Sequence, residues 1–252
     1  MMARINGESC RAATSFLFAL IFGMACHAAA AGGVATVTNL SGTLLATKPD
    51  GTTRILARNS EVVEGEVLST AASSYARIKF ADGGELILRP HSQVKIEAYR
   101  FEEAKPEEDN VTLELFKGGV RGVTGLIGKR NRPKYRMKVQ NATIGIRGTN
   151  YGALLCRDAE DDCVDVPTIS GKPPQDGLHV DVASGAVAVE NKAGIQAVAE
   201  GQFAYVKGPD TPPALKPPEE GVRVTLPPFM ASAGGGGATI GAERQDNACV
   251  IK

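Results

Sequence analysis

The sequence predicts an all-β protein whose many short strands stack as an irregular solenoid or roll, or as a sandwich-like core. Two observations lead to this prediction. Glycine is abundant, with 29 among 252 residues, and tryptophan is absent. With frequent Val, Ile, Leu and Thr, this composition favours short strands joined by tight turns. Apolar and polar residues also alternate with period two between turn sequences, as in strands with one buried face.

The first thirty residues have the pattern of a secretory signal peptide. Two arginines form a basic start, an apolar stretch follows, and Ala28-Ala29-Ala30 supplies a small-residue cleavage site. We expect cleavage after Ala30, which removes residues 1–30 and leaves a periplasmic or secreted protein. One alternative is a retained membrane anchor, although the apolar stretch is shorter than the ~20 residues that a spanning helix needs. The other is a lipoprotein modified at Cys26, with Gly23 where such signals usually have Leu.

Residues 31–206 form the predicted β domain, and two turns are its clearest local signals. The alternating segment Tyr75 to Phe80 is followed by Asp82-Gly83-Gly84 and then by Glu85 to Leu88. This order predicts a hairpin, because glycine accepts the positive φ of a tight turn. Lys48-Pro49-Asp50-Gly51 predicts a second turn by the same chemistry. The other predicted strands are Thr43 to Thr47, Thr52 to Leu56, Val94 to Ala98, Val111 to Phe116, Tyr135 to Val139, Tyr151 to Leu155, Leu178 to Val182, Ala186 to Val189 and Phe203 to Val206.

Three cysteines follow the signal segment. Cys156 and Cys163 are close in sequence, and in an oxidising compartment such a pair predicts a disulfide that pins a loop. On the chain-entropy account a loop this small contributes ~2–3 kcal/mol. Cys249 is left without a partner.

The segment between the paired cysteines is acidic, which raises the alternative of a cation site. Asp158, Asp161 and Asp162 would be its ligands. Their spacing does not fit an EF-hand loop, which needs a glycine and a terminal Glu at set positions. We therefore predict no bound metal and no cofactor.

Residues 207–252 differ in composition from the β domain. Prolines recur up to Pro228, and a glycine run covers Gly234 to Gly237. A segment of this composition buries too little apolar surface to offset its ordering entropy. We predict a mostly disordered C-terminal tail.

Several segments of the β domain form an ordered set of motifs. They are Glu64 to Thr70, Ala76 to Pro90, Leu113 to Arg121, Ile144 to Thr149, and Val182 to Val189 followed by Glu200-Gly201-Gln202. In this order they resemble the FecR domain, the periplasmic part of iron-dicitrate-type anti-sigma sensors. The resemblance implies a β-rich binding module related to a sensor domain. The best-known members begin with a cytoplasmic segment that holds a sigma factor, whereas this chain begins with a signal peptide, so we expect a stand-alone exported form.

No catalytic centre is evident in the sequence. His91 and His179 follow the signal segment, and neither lies in a catalytic motif. Ser92 is adjacent to His91, but neighbouring residues of a strand point to opposite faces. A phosphate-binding loop and zinc-type ligand spacing are also missing from the sequence. We predict that the protein is not an enzyme.

The densest charged feature is a basic run that consists of Lys129, Arg130, Arg132, Lys134, Arg136 and Lys138. A solvated loop that leads into a strand is the favoured interpretation, with Arg136 and Lys138 on the wet face. The alternative is contact with an anionic envelope polymer. Because the formal net charge of the whole chain is +0, general nucleic-acid binding is not expected.

Arg147-Gly148-Thr149 is the most distinctive short segment. Two isoleucines and a glycine precede the arginine, so we expect its side chain to be largely buried. A buried guanidinium needs acceptors, and the favoured interpretation is an internal clamp on carbonyls or a carboxylate. Asp82, in its turn with Gly83, is the candidate carboxylate. A contact with a ligand or partner is the alternative.

Together these features predict an exported, non-enzymatic binding or sensing module of the bacterial envelope. Its partner would be an envelope protein or polysaccharide. Two alternatives stay open: a secreted glycan- or peptidoglycan-binding or structural protein, and a hydrolase with an unrecognised site. The tyrosines are few and scattered, which does not suggest an aromatic platform for sugars.

Overall fold

A computed structural model describes residues 32–157, residue 163 and residues 166–231. The signal segment, the acidic residues between the paired cysteines and residues 232–252, with Cys249, lie outside the described residues. In the part of the chain that is described, no helix is long and apolar enough to cross a bilayer.

The chain folds into one large mixed sheet, which confirms the all-β prediction. The strands are β1 (Ala35–Ser41), β2 (Leu44–Thr47), β3 (Thr53–Leu56), β4 (Glu61–Val62), β5 (Val67–Thr70), β6 (Tyr75–Phe80), β7 (Glu85–Leu88), β8 (Gln93–Arg100), β9 (Asn110–Val123), β10 (Tyr135–Val139), β11 (Ala142–Cys156), β12 (Gly177–Asn191), β13 (Gly194–Ala199), β14 (Phe203–Val206) and β15 (Ala214–Lys216). The described residues also form two short α-helices, α1 (Leu126–Arg130) and α2 (Pro228–Ala231).

Strand order explains how one sheet encloses a core. The main path runs β15-β14-β12-β11-β10-β9-β7-β6-β1-β4, and β8, β5, β2 and β3 branch from β9 in that sequence. The first half of β9 pairs with β8 and with β10, the latter in parallel, while its second half pairs with β7 and β11. β12 likewise pairs with β14 at its start and β13 at its end. Each of these long strands therefore pairs with different neighbouring strands along its first and second halves.

The long strands were predicted as shorter separate segments, and glycines explain the difference. Gly148 in β11 has φ of 62°, and Gly185 in β12 has φ of 82°. A Cβ on Gly185 would lie 2.5 Å from the carbonyl oxygen of Gly148, so the two backbones approach too closely for a side chain. Pairing shifts register here as at a β-bulge, and the strands bend and continue instead of ending.

The main core lies on the inner face of the folded sheet. Alternate residues of each strand enter it, as the period-two pattern predicts. Val187 and Val189 of β12 are buried there, for example, while Ala186 and Glu190 of the same strand face outward.

Both predicted turns are present. In the β6–β7 hairpin the amide of Gly83 donates to the carbonyl of Phe80 at 3.0 Å, and Gly83 has φ of 80°. In the β2–β3 hairpin the amide of Gly51 donates to the carbonyl of Lys48 at 2.9 Å.

Part of the segment after Val206 packs against the β domain. Residues 221–231, here called the strap, run across the outer face of the sheet and contact β14, β12, β11, β9, β6 and β1. Val222, Val224 and Met230 of the strap are buried. The packed structure therefore extends to about residue 231. Prolines do not prevent this order, because a residue with fixed φ loses less entropy on folding.

Cys156 and Cys163 form the predicted disulfide, with Cα atoms 5.4 Å apart. They belong to a small apolar cluster with Leu154 and with Val222 and Val224 of the strap. The bridge thus ties the end of β11 to the region that the strap covers.

Candidate functional site

The outer face of β10, β11 and β12 carries an open basic groove of about 990 Å3. We call it the basic groove, and its polar rim consists of Arg132, Arg136, Arg147, Glu190 and Lys192. Small residues form the floor: Gly145 of β11 lies opposite Arg136 of β10 on one side and opposite Ala188 of β12 on the other. Because directly opposed residues share a face, the arginines project above a floor that has almost no side chains.

Arg147 lies at this groove, exposed, and the prediction that it is buried was wrong. Its isoleucine neighbours face the core, and alternation turns Arg147 to the outer face. No larger side chain covers it there, since its neighbour on β12 is Ala186. Its guanidinium makes no hydrogen bond or ion pair with any described residue, so no internal clamp on Asp82 forms.

Gly148 and Thr149 have structural roles at the bend of β11. The amide of Thr149 donates to Oγ1 of Thr124 at 2.8 Å, and its hydroxyl donates to the carbonyl of Ala186 at 2.7 Å. Gly148 supplies the left-handed backbone conformation. The segment therefore bends the strand and leaves Arg147 at the edge of the bend.

Asp82 binds backbone rather than Arg147. Its carboxylate accepts from the amide of Gly84 at 3.0 Å and from the amide of Ile127 at 3.1 Å. The Tyr99 hydroxyl donates to the same carboxylate at 3.3 Å. Burial, with the nearby Asp82 charge, raises the pKa of Tyr99. Asp82 thus fastens the β6–β7 turn to the start of α1.

The basic run divides into two groups in the structure. Arg130 forms a two-pronged ion pair with Asp109, at 2.7 Å and 2.9 Å, and Lys138 pairs with Glu97 at 2.8 Å. These two cations are neutralised within the protein. Arg132 and Arg136 instead turn to the basic groove.

The charges of the basic groove are largely unpaired. Within the described residues Arg132 has no hydrogen-bond or ion-pair partner, and Nε of Arg136 donates to the carbonyl of Pro133 at 3.1 Å. Lys192 lies 3.4 Å from Asp210, with both side chains 78% exposed. Such an exposed pair contributes little. Glu190 is the acidic residue of the rim, so the groove keeps a positive potential in a chain of formal net charge +0.

The histidines do not form a catalytic arrangement with Ser92. His91 is exposed, whereas Ser92 beside it is fully buried, and its hydroxyl bonds the backbone of Gly119. His179 is buried against the ring of Tyr205. Across residues 32–157, 163 and 166–231, His, Cys, Asp and Glu side chains form no group able to hold a metal ion.

Sequence reasoning missed a second set of arginines, which the strap covers. Arg121 of β9 donates to Asp181 at 2.9 Å and to the strap carbonyl of Val224 at 2.8 Å, and both charged side chains are buried. Arg77 of β6 pairs with Glu85 at 2.6 Å and donates to the carbonyl of Met230. Arg77 alternates with the buried Ala76 and Ile78 and so lies on the outer face of β6, and no local sequence signal reveals that a distant segment covers it.

Comparison with known proteins identifies one family and a distant structural likeness. The family described as FecR protein matches residues 66–188. Two crystal structures of a candidate anti-sigma factor from Parabacteroides distasonis ATCC 8503, at 2.50 Å and 1.65 Å resolution, align with TM-scores of 0.45 and 0.44 and identities of 12% and 11%. Each alignment covers 61% of this chain and 60% of the other. No curated protein sequence matches the chain.

Proposed function

We propose that this chain, whose residues 66–188 match the FecR family, is an exported, non-enzymatic binding and sensing module of the bacterial envelope. Sensing requires a surface that a partner can reach. The basic groove meets this requirement, because Arg132 and Arg147 are exposed, charged and unpaired by any described residue. This observation carries the proposal.

The partner is an envelope protein in this proposal, with an envelope polysaccharide as the alternative. Arginine forks suit carboxylates, which proteins present in abundance. Sugar-binding surfaces commonly add aromatic rings for stacking, and none lines the basic groove. The sequence pattern of residues 1–30 supports export.

Envelope capture tests this function. The full chain, tagged at its C-terminus, is exported in a Gram-negative host and recovered with crosslinked partners from the envelope fraction. We expect a mature N-terminus at Ala31 and a protein partner that the Arg132→Ala/Arg147→Ala variant fails to retain. Met1 on a membrane-bound species would refute export, and recovery of glycan without protein would support the polysaccharide alternative.

A further inference from the structure

We infer that the basic groove binds an extended acidic peptide segment of a partner protein, with acidic side chains at alternate positions. This inference rests on the proposed binding function and specifies its ligand. The carboxylates would pair with Arg136 and Arg147, and Glu190 would accept hydrogen bonds from the peptide's backbone.

The spacing of the arginines supports an extended ligand. Arg136 is opposite Gly145, and Arg147 is two residues further along β11. Two residues along a strand and one strand across place the two Cα atoms about 8 Å apart. Alternate side chains of an extended peptide repeat every ~7 Å. Successive acidic residues on one face of such a peptide therefore match the spacing of the Cα atoms of Arg136 and Arg147.

The composition of the rim favours a peptide over a phosphorylated polymer. Glu190 would repel a ligand that carries only anionic groups, whereas a peptide also brings backbone N–H donors that a carboxylate can accept. Glu190 is paired across the strands with Ile195 of β13, whose side chain is 67% exposed. An apolar side chain of the same peptide can pack on Ile195. A polyphosphate offers neither group.

The floor of the groove admits a main chain at close range. Gly145 has no left-handed φ, and a Cβ added there would meet only the carbonyl oxygen of Ala188, at 3.8 Å. A larger side chain at Gly145 is therefore sterically tolerated by the fold and projects into the groove. This position allows the groove to be filled without any change of charge.

Binding of a defined peptide tests the inference. The probe is fluorescein-labelled Glu-Val-Glu-Val-Glu-Val, measured by anisotropy against the full mature protein at low and at physiological salt. We expect Arg147→Ala to weaken binding about tenfold, as for loss of one charge-assisted pair, and Gly145→Leu to abolish it. Arg58→Ala removes an exposed cation outside the groove and should bind like the parent. Binding should weaken as salt rises.

Three results would overturn the inference. They are equal binding by the parent and Gly145→Leu, no binding of the acidic peptide to the parent, and tighter binding of the parent to linear polyphosphate than to the peptide. The proposed function is judged separately. Partner capture from the envelope that persists in Gly145→Leu keeps the binding role and rejects this groove as its site.

Discussion

Arginines on two parts of the same outer sheet face differ in what surrounds them. Under the strap, Arg77 and Arg121 are buried, and carboxylates and strap carbonyls receive their hydrogen bonds. In the basic groove, Arg132 and Arg147 are exposed and bond no described residue. The residue type is the same and the sheet is continuous, so the presence or absence of the strap decides whether an arginine is buried with internal partners or exposed.

The largest difference should appear on truncation of one arginine from each group. Arg121→Ala leaves the Asp181 carboxylate buried without its cation, and loss of one partner of a buried pair costs about 3–5 kcal/mol. Arg147→Ala removes no hydrogen bond or ion pair with a described residue and should change the free energy of unfolding by less than about 0.5 kcal/mol. Urea denaturation of both variants measures the contrast.

A matched double variant separates the charge from the packing. Arg121→Met/Asp181→Leu removes both charges and keeps apolar volume, so it should be more stable than Arg121→Ala. Equal stability of Arg121→Ala and Arg147→Ala would mean that the strap does not shelter its arginines, and the contrast between the two parts of the face would fail.

The strap itself gives a smaller effect. The Met230 side chain is fully buried. Met230→Ala should lower the free energy of unfolding by about 2 kcal/mol. This value is at the low end for a buried methionine because the strap can detach locally without unfolding of the sheet. Its neighbour Phe229 is 50% exposed, and Phe229→Ala serves as the control with a loss of less than about 1 kcal/mol. Thermal unfolding of both proteins distinguishes a docked strap from a loosely attached one.

The smallest effect concerns the pH dependence of stability that arises from the buried residue His179. Burial lowers the pKa of His179, although its hydrogen bond to the carbonyl of Gln175 opposes the shift. An unfolded histidine titrates near ~6.5. Stability from the neutral ring is thus complete above that pH and is lost as pH falls toward the folded pKa.

As pH falls below about 6.5, this one group should remove stability, by at most about 1.4 kcal/mol per pH unit. His179→Gln should flatten that slope. An unaltered slope in His179→Gln would show that His179 is not held neutral.

Local patterns predicted those parts of the fold that local contacts determine. The hairpin around Asp82-Gly83 pairs residues at most 12 positions apart, from Ala76 to Leu88, and its strands and turn agree with the prediction. Alternation also predicted that Ala76, Ile78 and Phe80 of β6 share the buried face, which is a property of the strand itself. The β11 bend at Gly148 was missed because a bulge and a turn both favour glycine.

The candidate site was predicted less well, because the burial of a residue on the outer face of the sheet depends on whether another segment of the chain packs over it. Arg77 lies on the outer face of its strand and is nevertheless covered, whereas Arg147 was expected to be buried and is exposed. The two arginines alternate with apolar residues in the same way. Only the path of the strap separates them, and that path is set by contacts between residues far apart in the sequence.

The separation along the chain has a consequence for the order of assembly. The bond from Arg77 to the strap joins residues 153 positions apart, and the bond from Arg121 joins residues 103 apart. Contacts this distant close large loops and form late, and during synthesis the strap emerges after the strands that it covers. The arginines beneath it therefore stay hydrated while the sheet assembles. Arg77 and Arg121 lose their hydrating water only when the strap carbonyls of Met230 and Val224 replace it.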